Sequence, residues 1–432
     1  MKLGLNRLAR RTALCAAIGA LSAGVAGNAA AAEKPIKIGV VTFLSGSAAG
    51  TFGIPARNGA ELIADQINAG TTPAPYGTKG FGGTPIELKI IDEAGGSTKA
   101  VTEYRNLVNQ QGVDMVVGYI SSGDCLAVAP VAEELKKLTV LFDCGTPRIF
   151  EDNSYHYVFR TGAMGTMDNV SAALYLKARG IKVNSYAGIN QNYAYGQDNW
   201  ADFKASMAQL YPKAKIATTQ FPKLGAGQYG AEISALLSSQ ANVVMSSFWG
   251  GDTDALILQG SARGLFKKSK VILTAGETAV QKLGSQIPDG TIIGARGPFD
   301  MLAPESEMNT WFRKAFEDRY SIPPSYPAYK ITQAILGVKT AYEKAMAANN
   351  GKTPTQDQII AAFEHLTWTG PGGEVTLGLG KGHQAVQGTA VGTVKHENGK
   401  LKVVDIVRFP ADKVTPPDGV KSTEWINNGF KK

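Results

Sequence analysis

Short apolar stretches alternate with longer amphipathic ones along most of the chain. The first apolar stretch is Ile36–Phe43, and a helical pattern follows it from about Pro55 to Asn68. Apolar runs of about four to eight residues are typical of buried strands, whereas apolar residues repeated every three or four positions indicate helices. Strands that alternate with helices favour a mostly parallel sheet covered by helices on both faces. The pattern therefore predicts an α/β fold.

The strand–helix alternation occurs in two successive series. The first series ends with an apolar run at Val140–Phe142, and the second extends from about Tyr157 to a strand at Lys270–Thr274. A long helical region at about 305–366 and several β-like segments follow, the last of them at Val403–Phe409. We therefore expect two doubly wound α/β lobes. Because open parallel sheets bind ligands at the carboxyl ends of their strands, the loops after the strands form the candidate site.

Residues 1–32 differ from the rest of the chain. They contain four basic residues and no acidic residue, an apolar stretch from about Thr12 to Val25, and a run of small residues that ends at Ala32. A basic start, a short apolar region and a small-residue cleavage site are typical of a secretory signal peptide. We expect cleavage after Ala32 and a periplasmic location for the mature protein.

The net charge of the chain is lower without residues 1–32. The full sequence of 432 residues carries a net charge of +8, which would suit a polyanionic partner. Removing the four cations of residues 1–32 leaves a mature chain of 400 residues at +4, without a long run of like charge. We therefore expect no nucleic-acid partner. No later segment reaches about 18 uninterrupted apolar residues, so we expect no membrane span in the mature protein.

Signatures of catalysis and of metal binding are missing from the sequence. It contains no G-x-S-x-G nucleophile motif, no Walker phosphate loop and no H-E-x-x-H motif. The four histidines stand far apart and pair with no cysteine at metal-ligand spacing. The sequence thus predicts a protein that is not an enzyme and that needs neither a metal nor another cofactor.

Cys125 and Cys144 are the two cysteines of the mature chain. An even number in an oxidising compartment is compatible with a disulfide, but a separation of 19 residues does not establish the geometry that the bond requires. A disulfide and two buried free thiols both remain open.

Polar and aromatic residues follow the predicted strands of both lobes. In the first lobe, Ser122 and Thr146 place hydroxyl groups just before helices, where hydroxyls and free backbone N–H groups bind anions. The alternative is that they are ordinary helix caps. In the second lobe, Tyr195, Trp249 and Glu277 follow strands in the same way. They could face the hydroxyls of the first lobe or simply pack within their own.

In the order and spacing of its motifs, the chain resembles the type I periplasmic binding proteins, in particular the branched-chain amino acid binding family that serves ATP-binding-cassette (ABC) importers. The resemblance covers nearly all of the mature chain. The residues that carry it are Ile38-Gly39-Val40, Leu44-Ser45-Gly46, Gly53, Asn58-Gly59-Ala60, Ile67-Asn68, Gly118, Ser122, Tyr195-Gly196, Gly276-Glu277, Tyr329 and Gln333.

The resemblance implies two lobes joined by three hinge strands, with a chain that crosses between the lobes more than once. On this basis we expect the first lobe at 33–160 and 298–368, the second at 161–297 and 369–410, and a C-terminal tail at 411–432.

The resemblance also implies a set of ligand-binding residues. Ser122 and Thr146 would bind a ligand carboxylate with help from backbone groups around Cys144, whereas Tyr195 and Glu277 would receive an ammonium group. The apolar part of the ligand would lie against Phe52, Trp249 and Tyr329. Hydroxyl and N–H donors suit an anion, and a carboxylate suits an ammonium.

One residue departs from this pattern. Asp124 lies two positions beyond Ser122 and would repel a ligand carboxylate if it faced the cleft, or it points at the start of its own helix.

Together these observations predict the substrate-binding component of an ABC importer. It would capture a small carboxylate-bearing solute, which is an amino acid, an aromatic acid or a related amide, by closure of two lobes. It would act as a monomer and deliver the solute to a membrane permease. A periplasmic ligand sensor of the same fold, feeding a regulator or chemoreceptor, is the alternative, and an exported α/β enzyme is a third.

Overall fold

The strands of the protein form two separate sheets, each covered by helices. The computed structural model describes residues 34–431. The strands of the first sheet are β1 (Ile36–Thr42), β2 (Ile86–Asp92), β3 (Met115–Gly118), β4 (Thr139–Leu141), β5 (Val158–Arg160), β11 (Thr367–Gly370), β12 (Gly373–Leu379) and β13 (Gln384–Val386). Those of the second are β6 (Ser185–Ile189), β7 (Lys215–Gln220), β8 (Val243–Ser246), β9 (Lys270–Leu273), β10 (Ile292–Gly294), β14 (Thr389–Glu397) and β15 (Lys400–Phe409).

Helices connect the strands and close the structure. They are α1 (Ile54–Ala69), α2 (Ser97–Asn109), α3 (Ser122–Glu134), α4 (Arg148–Glu151), α5 (Gly165–Ala178), α6 (Ala194–Leu210), α7 (Gly230–Ser238), α8 (Gly251–Ala262), α9 (Leu265–Lys268), α10 (Val280–Leu283), α11 (Glu307–Tyr320), α12 (Tyr326–Ala348), α13 (Gln356–Phe363), α14 (Ala411–Val414) and α15 (Ser422–Asn427).

Each sheet has a parallel part and an antiparallel edge. The first sheet has the order β11-β12-β13-β5-β4-β3-β1-β2, in which β1 to β5 are parallel and β11 to β13 pair antiparallel. The second has the order β15-β14-β10-β9-β8-β6-β7, with parallel pairs from β6 to β10 and antiparallel pairs at β14 and β15. The predicted α/β fold with two doubly wound lobes is confirmed.

The chain crosses between the sheets three times, after β5, after β10 and after β13. One assignment differs from the sequence-based expectation. Residues 369–386 were expected in the second lobe, but β11 to β13 belong to the first sheet because β13 pairs with β5. The other lobe boundaries stay predictions.

Local sequence explains several of these elements. Helix α1 has a proline in its first turn and ends at Gly70, which adopts the left-handed conformation that glycine favours. Gly59 lets α1 approach α12 closely, since a Cβ there would lie 2.8 Å from the carbonyl oxygen of Ala328. Helix α13 begins with a capping box formed by Thr355 and Gln358.

The predicted signal peptide at 1–32 lies outside the described residues. Within residues 34–431, no helix is both long and apolar enough to cross a membrane.

Candidate functional site

A small cavity lies where strand ends of the two sheets face each other. Loops after β1, β3 and β4 approach it from the first lobe, and loops after β6, β8 and β10 approach it from the second. Its volume is about 10 Å³, which is room for about one water molecule. The lining residues are Phe52, Ile120, Ser122, Asp143, Gly145, Tyr193, Tyr195, Trp249, Arg296 and Tyr326. We call this space the cleft cavity.

Aromatic rings from both lobes form one wall of the cleft cavity. Phe52 packs edge-on against Trp249 and against Tyr326, with ring centroids 5.3 Å apart in each pair. The indole Nε1 of Trp249 donates a hydrogen bond to the hydroxyl of Tyr193 at 2.7 Å. Flat, rigid rings of this kind suit a planar apolar ligand.

Charged side chains form the opposite part of the site, and all of them are buried. Asp143 accepts a hydrogen bond from Lys330 Nζ at 2.8 Å and lies 3.2 Å from Arg296 Nη2. Arg296 Nη1 lies 3.8 Å from Asp168. Burial lowers the pKa of Lys330 to about 8 and raises the pKa of Asp168 to about 6. Two cations therefore already surround the carboxylate that lines the cavity.

Two buried hydrogen-bond donors of the cleft cavity, Arg296 and Tyr195, lie beside each other, and burial raises the pKa of the Tyr195 hydroxyl while the guanidinium lowers it. Arg296 Nε and the Tyr195 hydroxyl are buried without a hydrogen bond of normal geometry to the described residues. The guanidinium lies 5.0 Å from the centre of the Tyr195 ring. The oxygen of Ser122 accepts the N–H of Thr146, which leaves its own proton free to donate. Three residues with hydrogen-bond donors, Arg296, Tyr195 and Ser122, thus line the cavity. Asp143, the carboxylate in the lining, is already paired with Lys330 and Arg296.

Thr146 joins the two lobes instead of lining the cavity. Its hydroxyl donates to Asp198 of α6 at 2.7 Å, and Arg148 forms an ion pair with the same carboxylate. A second contact between the lobes is the hydrogen bond from Gly251 N to Ser47 O, at 3.0 Å. These contacts join the two lobes across the cleft.

Glu277 and Tyr329 also lie outside the cavity lining. A carboxylate oxygen of Glu277 accepts the N–H of Tyr326 at 3.1 Å, and burial together with nearby Asp300 raises the pKa of this carboxyl well above its ordinary value. Tyr329 is fully buried, and its hydroxyl donates to Asn309 at 2.7 Å. Burial therefore disfavours the charge on Glu277, although its Oε1 has no hydrogen-bond partner among the described residues.

Cys144 lies behind the cavity in the loop after β4. The structure joins it to Cys125 of α3 in a disulfide, with Cα atoms 6.4 Å apart. Asp124, in the first turn of α3, accepts a hydrogen bond from the hydroxyl of Ser97 and is absent from the cavity lining.

The structure therefore brings Phe52, Ser122, Tyr195 and Trp249 together at one cavity. Sequence reasoning did not single out Asp143, Tyr193, Arg296, Tyr326 and Lys330. One feature of the sequence could have indicated Arg296 as a site residue, since it follows the apolar strand β10 by two residues. Other charged residues also follow strands, so this feature alone does not distinguish it.

The described part of the chain contains no cluster of three or more His, Cys, Asp or Glu side chains that could hold a metal ion. The cleft cavity offers hydrogen-bond donors and aromatic surface. A cavity enclosed between two α/β lobes that are joined by three crossings defines a two-lobed binding protein.

Comparisons with known proteins identify the family. The sequence profile of the family described as periplasmic binding protein matches residues 35–400. The chain therefore belongs to the periplasmic binding protein family, and the resemblance to its type I, branched-chain amino acid members is confirmed.

Three relatives illustrate the range of this family. The Leu/Ile/Val-binding protein homolog 4 of Brucella melitensis biotype 1 is 24% identical over 381 residues, which cover 84% of this chain and 85% of the relative. The fold is similar to that of an ABC-transporter solute binding protein from R. palustris in complex with 4-hydroxybenzoate. That comparison has a TM-score of 0.74, 20% identity and coverage of 88% of this chain and 98% of that chain.

It is also similar to the leucine-, isoleucine-, valine-, threonine- and alanine-binding protein of Brucella ovis in a closed conformation. That comparison has a TM-score of 0.72, 20% identity and coverage of 89% of this chain and 97% of that chain. The protein is thus a periplasmic binding protein and not an enzyme, and its family implies the periplasm.

Proposed function

We propose that the protein captures a small organic carboxylate without an amine, with aromatic monocarboxylates as the best-suited class, and delivers it to the permease of an ABC importer. The observation that carries this proposal is Arg296, a buried guanidinium at the cleft cavity whose Nε has no partner. A ligand carboxylate would accept hydrogen bonds from this Nε, from the Tyr195 hydroxyl and from Ser122.

The charges of the site disfavour an α-amino acid. A ligand ammonium would be a third cation beside Asp143, which already contacts Lys330 and Arg296. A guanidinium lies over the ring of Tyr195, where the resemblance places the ammonium. Glu277, the other expected partner, is held by Tyr326 and has a raised pKa. A ligand with an amine would therefore meet the two cations Arg296 and Lys330 beside Asp143, and burial disfavours the charge on Glu277.

The aromatic wall favours a planar ligand body. Phe52, Trp249 and Tyr326 present ring faces and edges that match an aromatic ring better than a branched aliphatic chain. The similar R. palustris protein, which is in complex with 4-hydroxybenzoate, supports the same ligand class.

Ligand entry requires the lobes to separate. The cleft cavity as closed holds about 10 Å³, far less than any aromatic acid occupies. We therefore propose that the ligand binds to an open form and that contacts such as Thr146 to Asp198 close the lobes around it.

A calorimetric titration of the mature protein tests the ligand class. Benzoate, benzamide, phenylalanine and leucine would be compared. We expect benzoate to bind, benzamide to bind about ten to a hundred times more weakly because it lacks the charge, and the two amino acids to be the poorest ligands. The variant Glu277→Gln should bind benzoate like the wild type. Leucine or phenylalanine binding more tightly than benzoate would overturn the proposed ligand class.

A further inference from the structure

A second and larger cavity lies beside the crossings between the sheets. It has a volume of about 280 Å³ and shares no lining residue with the cleft cavity. Its walls come from α4, the end of β5, the turn after β12 and the segment 416–421. We call it the hinge-side cavity, because Arg160 and Gln384 in its wall flank the first and third crossings.

Arg160 is fully buried and only partly satisfied. Its Nε donates to the side chain of Gln384, and its Nη1 donates to the carbonyl oxygens of Cys144 and Thr146. Its Nη2 has no hydrogen-bond partner, and no carboxylate within residues 34–431 forms an ion pair with this guanidinium. Burial lowers the pKa of Arg160 to about 9, so the group is a cation at neutral pH.

The charges of Glu151 and Asp143 act on Arg160, but neither carboxylate forms an ion pair with it. A buried cation without a direct ion pair is costly, since cations in protein interiors are normally paired with an anion. An anionic ligand group in the hinge-side cavity would supply both the missing hydrogen bond to Nη2 and a direct ion pair. The bonds to Cys144 and Thr146 hold the guanidinium in place, so Nη2 is preorganised for such a group.

The other walls of the hinge-side cavity define the rest of the ligand. The ring of Phe150 lies 5.8 Å from the guanidinium carbon of Arg160, and Met164 and Leu379 add apolar surface. Glu151 is the nearest competing carboxylate. It accepts the N–H and the hydroxyl of Ser422, and burial raises its pKa while the charge of Arg160 lowers it.

We propose that the hinge-side cavity is a second binding site, for a small organic carboxylate whose charged group contacts Arg160 Nη2 and whose apolar body packs against Phe150 and Met164. A cavity of about 280 Å³ is near the lower end of the range for small-molecule sites. The proposal does not depend on the ligand of the cleft.

A blocking variant tests the second site without disturbing Arg160, which also supports the loop of Cys144 and Thr146. Ser154 is exposed and lines the hinge-side cavity. The large side chain of Ser154→Trp should fill the cavity, whereas Ser154→Ala is the matched control. With 4-bromobenzoate as the probe, calorimetry should show a site that Ser154→Trp weakens at least about tenfold and Ser154→Ala changes by less than about twofold. The neutral 4-bromobenzamide should bind there about ten to a hundred times more weakly.

Crystals soaked in 4-bromobenzoate locate the probe directly. Anomalous scattering from bromine should appear in the hinge-side cavity of the wild type and of Ser154→Ala, and be absent from that of Ser154→Trp. Bromine in the cleft alone, or unchanged calorimetric binding by Ser154→Trp, would overturn the second site. Bromine in the hinge-side cavity alone would support the second site and contradict the proposed function of the cleft, so the two failures are distinguishable.

Discussion

In the function proposed above, Arg296 sets the kind of ligand that the cleft accepts. It has a left-handed backbone conformation, with φ of 48°, and a guanidinium held between Asp143 and Asp168. This placement leaves Nε without a hydrogen-bond partner, in the described part of the chain, in a residue that lines the cavity, and it puts a cation over the ring of Tyr195, where the resemblance places an ammonium. We therefore propose that this one side chain favours anionic ligands and disfavours those with an amine.

We expect Arg296→Gln to weaken benzoate binding by about tenfold to a hundredfold, because a hydrogen bond to a charged group contributes about 1.5–3 kcal/mol. Arg296→Lys keeps the charge but not the Nε geometry, so its affinity for benzoate should lie between that of Arg296→Gln and that of the wild type. Titration calorimetry measures the affinity, and Arg263→Gln at the surface of the same lobe is the control. Affinity within about twofold of the wild type for Arg296→Gln would contradict this role.

Asp202 makes stability depend on pH. It is fully buried beside Thr166, and burial raises its pKa from 3.8 to about 8. The folded protein then retains a proton that the unfolded chain releases above about pH 4, so folding loses stability as pH rises from about 4 to about 8. Asp202→Asn removes this loss and keeps an oxygen that accepts from Thr166.

The variant Asp202→Asn should therefore raise the melting temperature more at pH 8.5 than at pH 5. Thermal unfolding at both values measures the difference, with Asp357→Asn at an exposed position as the control. An equal effect of Asp202→Asn at the two values would show that the buried carboxyl does not titrate as described.

At the residue scale, the sequence identified site residues that directly follow strands. Ser122, Tyr195 and Trp249 were found this way, because parallel strands end at a common edge. Glu277 also follows a strand, yet the turn Gly276–Ala279 holds its carboxylate against Tyr326 N. Only the packing of distant segments decides which charges are buried, so the role of Arg296 was not predictable.

Among the elements, α3 and the loop after β4 are joined at Cys125 and Cys144. A chain that begins at Glu33 has no other cysteine, so it should show no free thiol in denaturant without reductant. Closing a loop of 19 residues should stabilise the fold by about 3 kcal/mol. Urea unfolding of the double variant Cys125→Ala/Cys144→Ala, compared with the wild type, measures this loss. Two titratable thiols in the unreduced wild type would contradict the bond.

At the same scale, the positions of the strands were easier to predict from the sequence than the pairing of the strands within the sheets. The alternation of strands and helices gave the parallel parts of both sheets, because each strand is a short apolar run. The membership of β11 to β13 was not predictable, since it depends on the pairing of Gln384 with Arg160, which is 224 positions away. Periodicity reports which residues are buried and not which strand lies beside them.

At the scale of the whole molecule, closure places the ligand between two rigid lobes. Contacts such as Arg148 to Asp198 and Gly251 to Ser47 exist only when the lobes meet. Each such contact contributes about 1 kcal/mol or less on its own, so the ligand has to supply the remaining free energy for closure. The protein should therefore be predominantly open without its ligand.

The distance between the lobes, measured by pulsed electron spin resonance, tests this account most directly. Spin labels at the exposed positions Thr98→Cys, in the first lobe, and Lys223→Cys, in the second, report the separation. We predict a broad distribution without ligand that becomes a single, shorter distance with saturating benzoate and stays unchanged with leucine. The same distribution with and without benzoate, or closure by leucine alone, would contradict the capture of an amine-free carboxylate between the lobes.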